Sequence, residues 1–336
     1  MAEVVLSNVS KAFGATAALA SVTMTIPDGA FVVLLGPTGA GKTTTLRLIA
    51  GLDRPDTGDI RIGGASVLND TPAMRDVAMV FQQYSLYPHL TVRDNLAFPL
   101  RSPIIAMPED QIAKRVQEVA EALRIPHKLD NKATALSGGE MQRVSIGRAL
   151  VRNPRIYLMD EPLSSLDAKL RADLRVELKR IHADLGATFL YVTHDQIEAM
   201  TMATHVGVLD HGRLVQFGTP RQIYEDPVST YVATRLGQPR IALLPADAFG
   251  AGAPAGAAQM GLRPEHIGTG EGQPATVKRL EHLGDQTRLH LTLGPHDIVT
   301  LADPHSRLTT GETLLIHPRT PLWFDASGNR IQGATP

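Results

Sequence analysis

The chain contains no cysteine. That excludes a disulfide framework and any cysteine-ligated metal centre, and it fits a reducing compartment. An excess of one charge is also missing: 33 Lys and Arg stand against 34 Asp and Glu, for a formal net charge of −1. Nucleic acid therefore receives no overall electrostatic pull and is not an expected partner. No window approaches 18 consecutive apolar residues, so the sequence is not expected to span a bilayer, and any membrane role must come through a partner. Residues 1–10 alternate apolar and polar side chains, without the basic start and apolar core of a signal peptide, and read as a strand. What is present is length and apolar content. With 336 residues, 43% of them hydrophobic, there is room for two domains with buried cores.

Residues 1 to about 82 alternate strand-like runs with glycine-bearing turns. From Pro108 a helical period takes over, with Ile112, Val116, Val119 and Leu123 on one stripe and charged residues opposite. Strand-like and helix-like runs alternate again over 155–217, with strands expected at 155–159, 188–193 and 205–210 and helices at 168–185 and 195–203. This pattern predicts an α/β domain: a mostly parallel sheet flanked by helices, with a helical insertion at about 83–150. A stretch rich in Ala, Gly and Pro, residues 236–261, leads into a tail whose short β-like runs at 287–293 and 297–301 predict a small all-β domain.

The most specific motif is Gly36-Pro37-Thr38-Gly39-Ala40-Gly41-Lys42-Thr43, which fits G-x-x-x-x-G-K-[ST] at every fixed position. Its glycines let backbone N–H groups turn inward on phosphate oxygens, and the helix that follows, read from Thr44 to residue 52, presents its positive end. Lys42 supplies a mobile charge for the terminal phosphates, and the Thr43 hydroxyl suits Mg²⁺. The apolar run 31–35 before the loop is what a strand buried on both faces requires. A second motif is the apolar run Ile156-Tyr157-Leu158-Met159, which ends in Asp160-Glu161. At the carboxyl edge of a parallel sheet Asp160 can serve the metal shell, and Glu161 can polarise a water in line with the γ-phosphate. On its own the pair also reads as a solvated acidic turn. A third, Leu136-Ser137-Gly138-Gly139-Glu140, precedes a helix expected from Met141 to about 151 and offers N–H groups to an anion. It reads either as an N-cap with a glycine turn or as a lid for a nucleotide held by a second copy.

These motifs resemble, in order and spacing, those of the ATP-binding-cassette ATPases, P-loop NTPases in which Leu136 to Glu140 is similar to the signature loop. Val80-Phe81-Gln82-Gln83 resembles the Q-loop of that family, Ser165-Leu166-Asp167 its D-loop, and Val192-Thr193-His194-Asp195 its switch-histidine loop. The sequence around Tyr84 to Leu90 and the run Gly261-Leu262-Arg263-Pro264-Glu265-His266-Ile267 are similar to the carbohydrate-importer branch, of the maltose and glycerol-phosphate type. The resemblance implies a cassette domain at 1–235 and an OB-like β-domain at 236–336. It implies ATP and Mg²⁺ as cofactors, with Gln82 reaching Mg²⁺ and water, His194 holding the γ-phosphate and attacking water, and Phe13 stacking on adenine where a Tyr is commoner. Asp167 would sit across a dimer interface, and Thr44 would join the phosphate contacts. Glu140 stands where Gln is commoner, and Met141 where a polar residue is. The implied assembly is a homodimer of this chain with two membrane-spanning permease subunits, gripped near residues 84–90, and a periplasmic or extracellular binding protein, on the cytoplasmic face of the inner membrane. The implied activity is ATP hydrolysis that energises uptake of a sugar, sugar derivative or glycoside. A cation, oxyanion or polyamine importer is the nearest alternative. A soluble cassette ATPase acting on DNA or ribosomes is a more distant one, because it would not be expected to carry the β-domain.

Overall fold

The computed structural model describes residues 2–105, 107–250 and 252–331. Residue 1 and residues 332–336, the outer ends of the two expected domains, lie outside the described residues. Contacts divide the chain into two units, Met1–Pro220 and Arg221–Pro336.

In the first unit the chain runs β1 (Val4–Phe13), β2 (Thr16–Ile26), β3 (Phe31–Leu35), α1 (Lys42–Ala50), β4 (Thr57–Ile62), β5 (Ala65–Ser66) and β6 (Val77–Val80). The insertion follows as α2 (Val92–Ala97), α3 (Glu109–Ala122) and α4 (Gly138–Leu150), and then come β7 (Ile156–Asp160), α5 (Ala168–Leu185), β8 (Thr188–Thr193), α6 (Gln196–Met202), β9 (His205–Asp210) and β10 (Arg213–Gly218). Two kinds of strand make two sheets. Every residue of β3, β7 and β8 is buried, as strands covered on both faces must be, and these pair in parallel in the order β10-β9-β3-β8-β7-β6, with only β10 antiparallel. The strands β1, β2 and β4 bury alternate residues, and they form a separate antiparallel sheet in the order β2-β1-β4-β5. The two sheets share one core, in which Val4, Leu6 and Ile60 join Val32, Leu34, Leu158 and Leu190, with Leu46 and Ile49 of α1.

The stripe read in the insertion is the buried face of α3, where Ile112, Val116 and Val119 are each at most 3% exposed, and Glu109 and Asp110 in its first turn complement the helix dipole. The helix expected from Met141 begins three residues earlier, at Gly138, because Ser137 and Glu140 cap it reciprocally and offset the poor helix propensity of two glycines.

The second unit contains α8 (Thr230–Arg235), which follows a short helix α7 (Pro220–Glu225) at the division, and then β11 (Ala242–Pro245), β12 (Gln259–Leu262), β13 (Ile267–His282), β14 (Thr287–Leu293), β15 (His296–Ala302), β16 (Thr313–Pro318) and β17 (Leu322–Phe324). Its strands form antiparallel sheets ordered β11-β12-β17 and β15-β14-β13-β16 around a core that includes Leu262, Val277, Leu289, Leu291, Ile316 and Trp323. The all-β tail is present, and β14 shows the strict alternation of a strand with one face buried. Within the same unit the buried Arg263 donates to the carbonyls of Tyr224, Ala233 and Leu236 and stacks over the Tyr224 ring. Among the described residues no helix is long and apolar enough to cross a membrane.

Candidate active site

The parallel strands β3, β7 and β8 end at one edge of their sheet, so the residues that follow them, Gly36, Glu161 and His194, emerge together. Such an edge is where open α/β sheets bind ligands. Residues 36–41 link β3 to α1, with Thr38 and Gly39 open at the tip and Gly36, Ala40 and Gly41 buried. Two glycines are enforced by neighbouring chain as well as by any ligand. A Cβ at Gly36 would lie 2.6 Å from the Leu209 carbonyl oxygen. Gly41 has φ 100°, and its Cβ would lie 2.5 Å from Leu19 Cδ2 and 2.7 Å from the Ala18 carbonyl oxygen. Pro37 and Ala40 close the turn through the Ala40 N–H, which donates to Pro37 O at 3.1 Å, and Gly212 N–H donates to Ala40 O at 3.2 Å.

Lys42 is only 5% exposed, yet its charge is directed to the loop mouth, where Nζ donates to Gly36 O at 2.9 Å and Pro37 O at 3.0 Å. The same Nζ is 3.6 Å from Glu161 Oε1. Next to it, Thr43 Oγ1 donates to Asp160 Oδ1 at 2.9 Å. Burial pushes the Asp160 carboxyl above its usual range, and the Thr43 hydrogen bond pulls the other way. Glu161 has φ 42°, an uncommon backbone for a residue with a side chain, and its N–H is anchored on Val192 O of β8 at 3.1 Å. Its Oε2 lies 3.0 Å from His194 Nδ1. His194 is itself held by the turn into α6, where Asp195 accepts from Ile197 N–H at 2.7 Å and pairs with Arg171 at 3.7 Å. A base, a cation, a hydroxyl and an exposed imidazole thus converge around one opening. Asp160 and Thr43 offer hard oxygen donors side by side, which fit a Mg²⁺ that keeps most of its other ligands from water and phosphate.

The remaining expected residues stand elsewhere. Among the described residues no hydrogen bond or ion pair joins Phe13, Gln82, Ser137, Gly138, Gly139, Glu140 or Asp167 to the group formed by Lys42, Thr43, Asp160, Glu161 and His194. Gln82 is exposed just after β6, and Thr44 is half-buried in the first turn of α1. Phe13 is 50% exposed, with Lys11 Nζ 5.4 Å from its ring centre. Asp167 accepts from Leu170 N–H at 3.0 Å and so caps α5. Close by, Tyr84 OH is 3.2 Å from Ser165 Oγ. In the signature stretch Glu140 Oε2 accepts from Ser137 N at 2.8 Å and Ser137 Oγ at 2.9 Å, and Glu140 Oε1 pairs with Lys128 at 3.0 Å. The capping box was legible as S-x-x-E in Ser137-Gly138-Gly139-Glu140. Lys128 belongs to no motif and nothing in the sequence pointed to it.

Residues 19–164 match the family described as ABC transporter, and residues 260–324 match the TOBE domain. The chain is similar to the sn-glycerol-3-phosphate import ATP-binding protein UgpC of Ruegeria pomeroyi, 46% identical over 305 residues that cover 86% of each chain. It is also similar to the lactose transport ATP-binding protein LacK of Rhizobium radiobacter, 41% identical across 99% of this chain and all of that one. Among solved structures, a dimeric bacterial ABC-transporter cassette superposes with a TM-score of 0.59 at 31% identity, covering 65% of this chain and 99% of the other.

Proposed function

The chain belongs to the ABC-transporter ATP-binding family, and from that premise we propose that it is the ATP-hydrolysing subunit of an importer for a sugar or glycerol-phosphate-type solute, working as a homodimer. The solute class is carried over from what relatives such as the glycerol-3-phosphate and lactose proteins are named for. The observation that carries the mechanism is the split of the site. The phosphate loop, Asp160, Glu161 and His194 are gathered at one sheet edge, whereas among the described residues no hydrogen bond or ion pair joins Ser137–Glu140 or Asp167 to Lys42, Thr43, Asp160, Glu161 or His194. One chain therefore offers two half-sites, and a second copy would bring the signature helix of one onto the nucleotide of the other.

In this reading Lys42 and the N–H groups of the loop hold the β- and γ-phosphates. Thr43 and Asp160 would hold Mg²⁺, which supplies charge neutralisation at the phosphates. Glu161 accepts the proton of the attacking water, and its αL backbone anchored on Val192 fixes where that carboxylate sits. His194 orients Glu161 and contacts the γ-phosphate, while Gln82 would link the same cation to the insertion. Phe13 offers its ring to the adenine, Asp167 faces the partner copy, and residues 84–90 receive a permease subunit. Peripheral attachment to the cytoplasmic membrane face follows from that docking, with a binding protein delivering the solute from the other side. Glu161→Gln tests the assignment. It should keep ATP binding, lose about 10²–10⁴-fold in turnover and accumulate an ATP-bound dimer. Unchanged turnover would remove Glu161 from the role of base.

A further inference from the structure

We propose that Lys128 is a positioning residue for the half of the ATP site that α4 brings to a partner copy: by pairing with Glu140 it keeps the helix N-terminus able to receive a γ-phosphate. The proposal rests on the reading above that Ser137 to Gly139 face a nucleotide held by a second chain.

The start of α4 would otherwise be a poor place for an anion. Glu140 puts a carboxylate in its first turn, and the Ser137 backbone N–H, with Lys128 and the Ser137 hydroxyl, holds that carboxyl down to about 2, so it stays charged at any working pH. A full negative charge there outweighs the roughly half-unit positive charge of the helix end and repels a phosphate. Lys128 removes that surplus. Its Nζ sits 3.0 Å from Glu140 Oε1, on the side of the carboxylate away from the oxygen that Ser137 uses. Both side chains are largely covered, 27% and 25% exposed, so the pair is less screened than a surface one. Lys128 lies at the end of a separate turn, Pro126–Lys128, so the charge comes from outside the helix that needs it.

Ser137 adds a second requirement. Its one hydroxyl proton is directed at Glu140 Oε2, and it must turn away to donate to a phosphate. When it does, the carboxylate loses one of its donors, and Lys128 remains to hold it in place. Without Lys128, the Ser137 hydroxyl and N–H are the donors left to Glu140 among the described residues, and the serine is less free to leave.

The test uses the full chain carrying Glu161→Gln, with sedimentation to read dimer formation against ATP concentration in the presence of Mg²⁺, and a fluorescent ATP analogue to read affinity of the monomer. Lys128→Met should raise the ATP midpoint for dimerisation at least about tenfold with monomer affinity unchanged, while Lys128→Arg should stay near the parent. Adding Glu140→Gln to Lys128→Met should bring the midpoint back to that of Glu140→Gln alone, a rescue that a merely misfolded Lys128 variant would not show. A midpoint within twofold of the parent for Lys128→Met, or no rescue by Glu140→Gln, would overturn the proposal. Ser137→Ala is the separate control. If it leaves dimerisation intact, the underlying reading of the signature loop is wrong whatever Lys128 does.

Discussion

Replacing Gly41 with alanine separates what the phosphate loop needs for itself from what a ligand needs. The backbone at this position has φ 100°, which an L-residue adopts at a cost of about 1–2 kcal/mol. The new methyl would also meet Leu19 Cδ2 at 2.5 Å and the Ala18 carbonyl oxygen at 2.7 Å. Leu19 is 1% exposed and has no solvent to swing into, and Ala18 O is fixed in β2, so overpacking adds about 1–3 kcal/mol. The sum, about 2–5 kcal/mol, is a large part of the roughly 5–15 kcal/mol that holds a domain folded. Gly39→Ala is the matched control. It has φ 81° but nothing within 4 Å of its Cβ, so it should cost only the backbone share, about 1–2 kcal/mol. Urea unfolding followed by far-UV ellipticity reads the helices of the first unit. The single tryptophan, Trp323, lies in the second and is the wrong probe. If the two variants unfold within about 0.5 kcal/mol of each other, the clash with β2 does not constrain the loop and the reasoning fails.

Asp160→Asn should lower ATP hydrolysis at least about a hundredfold while leaving the nucleotide-free chain as stable or more so, because a carboxylate 8% exposed with one hydroxyl donor is replaced by a neutral amide; thermal melts and steady-state rates measure both. Glu140 has its folded carboxyl lowered from 4.5 to about 2, so its share of stability is present above pH 4.5 and is lost as pH falls toward 2. Glu140→Gln should unfold more easily than the parent near neutrality, with the gap closing over that window in urea titrations at stepped pH. Dimerisation of the Glu161→Gln chain should rise with ATP more steeply than a single-site curve, with a Hill coefficient near two, and a hyperbolic curve in sedimentation would argue against two equivalent shared sites.

The parts legible in the sequence were those where one residue type had one physical reason to be there. Five consecutive buried apolar residues before Gly36, and four more leading into the buried Asp160, left little choice but parallel strands with their carboxyl ends at one edge. Long-range pairings were not legible. The strand-like runs before residue 82 were visible, but no periodicity announces that β1, β2 and β4 pair into a second sheet, with register shifts within β1 and positive φ at Asn8 and Ser21. The 16-residue β13 escaped notice because Gly268, Gly270, Gly272 and Pro274 break its alternation, and the structure keeps it as one strand through a shift between Thr269 and Gln273 against β16. In the site, Asp160 and Glu161 followed from chemistry and strand position, whereas Gln82, His194 and Asp167 were found by family resemblance alone. Any strand end or turn can carry such residues. Lys128 was invisible because its partner lies 12 positions on and on a different element.

Both half-sites are already satisfied within the single chain, and this bears on how the assembly can work. Lys42 donates to two carbonyls of its own loop and faces Glu161, and Ser137 donates twice to Glu140. A phosphate arriving at either place therefore exchanges acceptors rather than filling empty ones, and only the difference between old and new partners counts. A charged hydrogen bond is worth about 1.5–3 kcal/mol net and a neutral one about 0.5–1.5, and exchanging one acceptor for another yields less than a newly made bond would. In the proposed dimer neither half is expected to hold the closed state through such exchanges alone, since a chain with one ATP would have only one of the two exchanges to offset the loss of freedom on dimerisation. Two ATP molecules engaged by both copies double the gain against a single association cost. In the dimer proposed above, closure would thereby be tied to full occupancy, and release of one γ-phosphate would tip the balance back toward the open, internally satisfied chains.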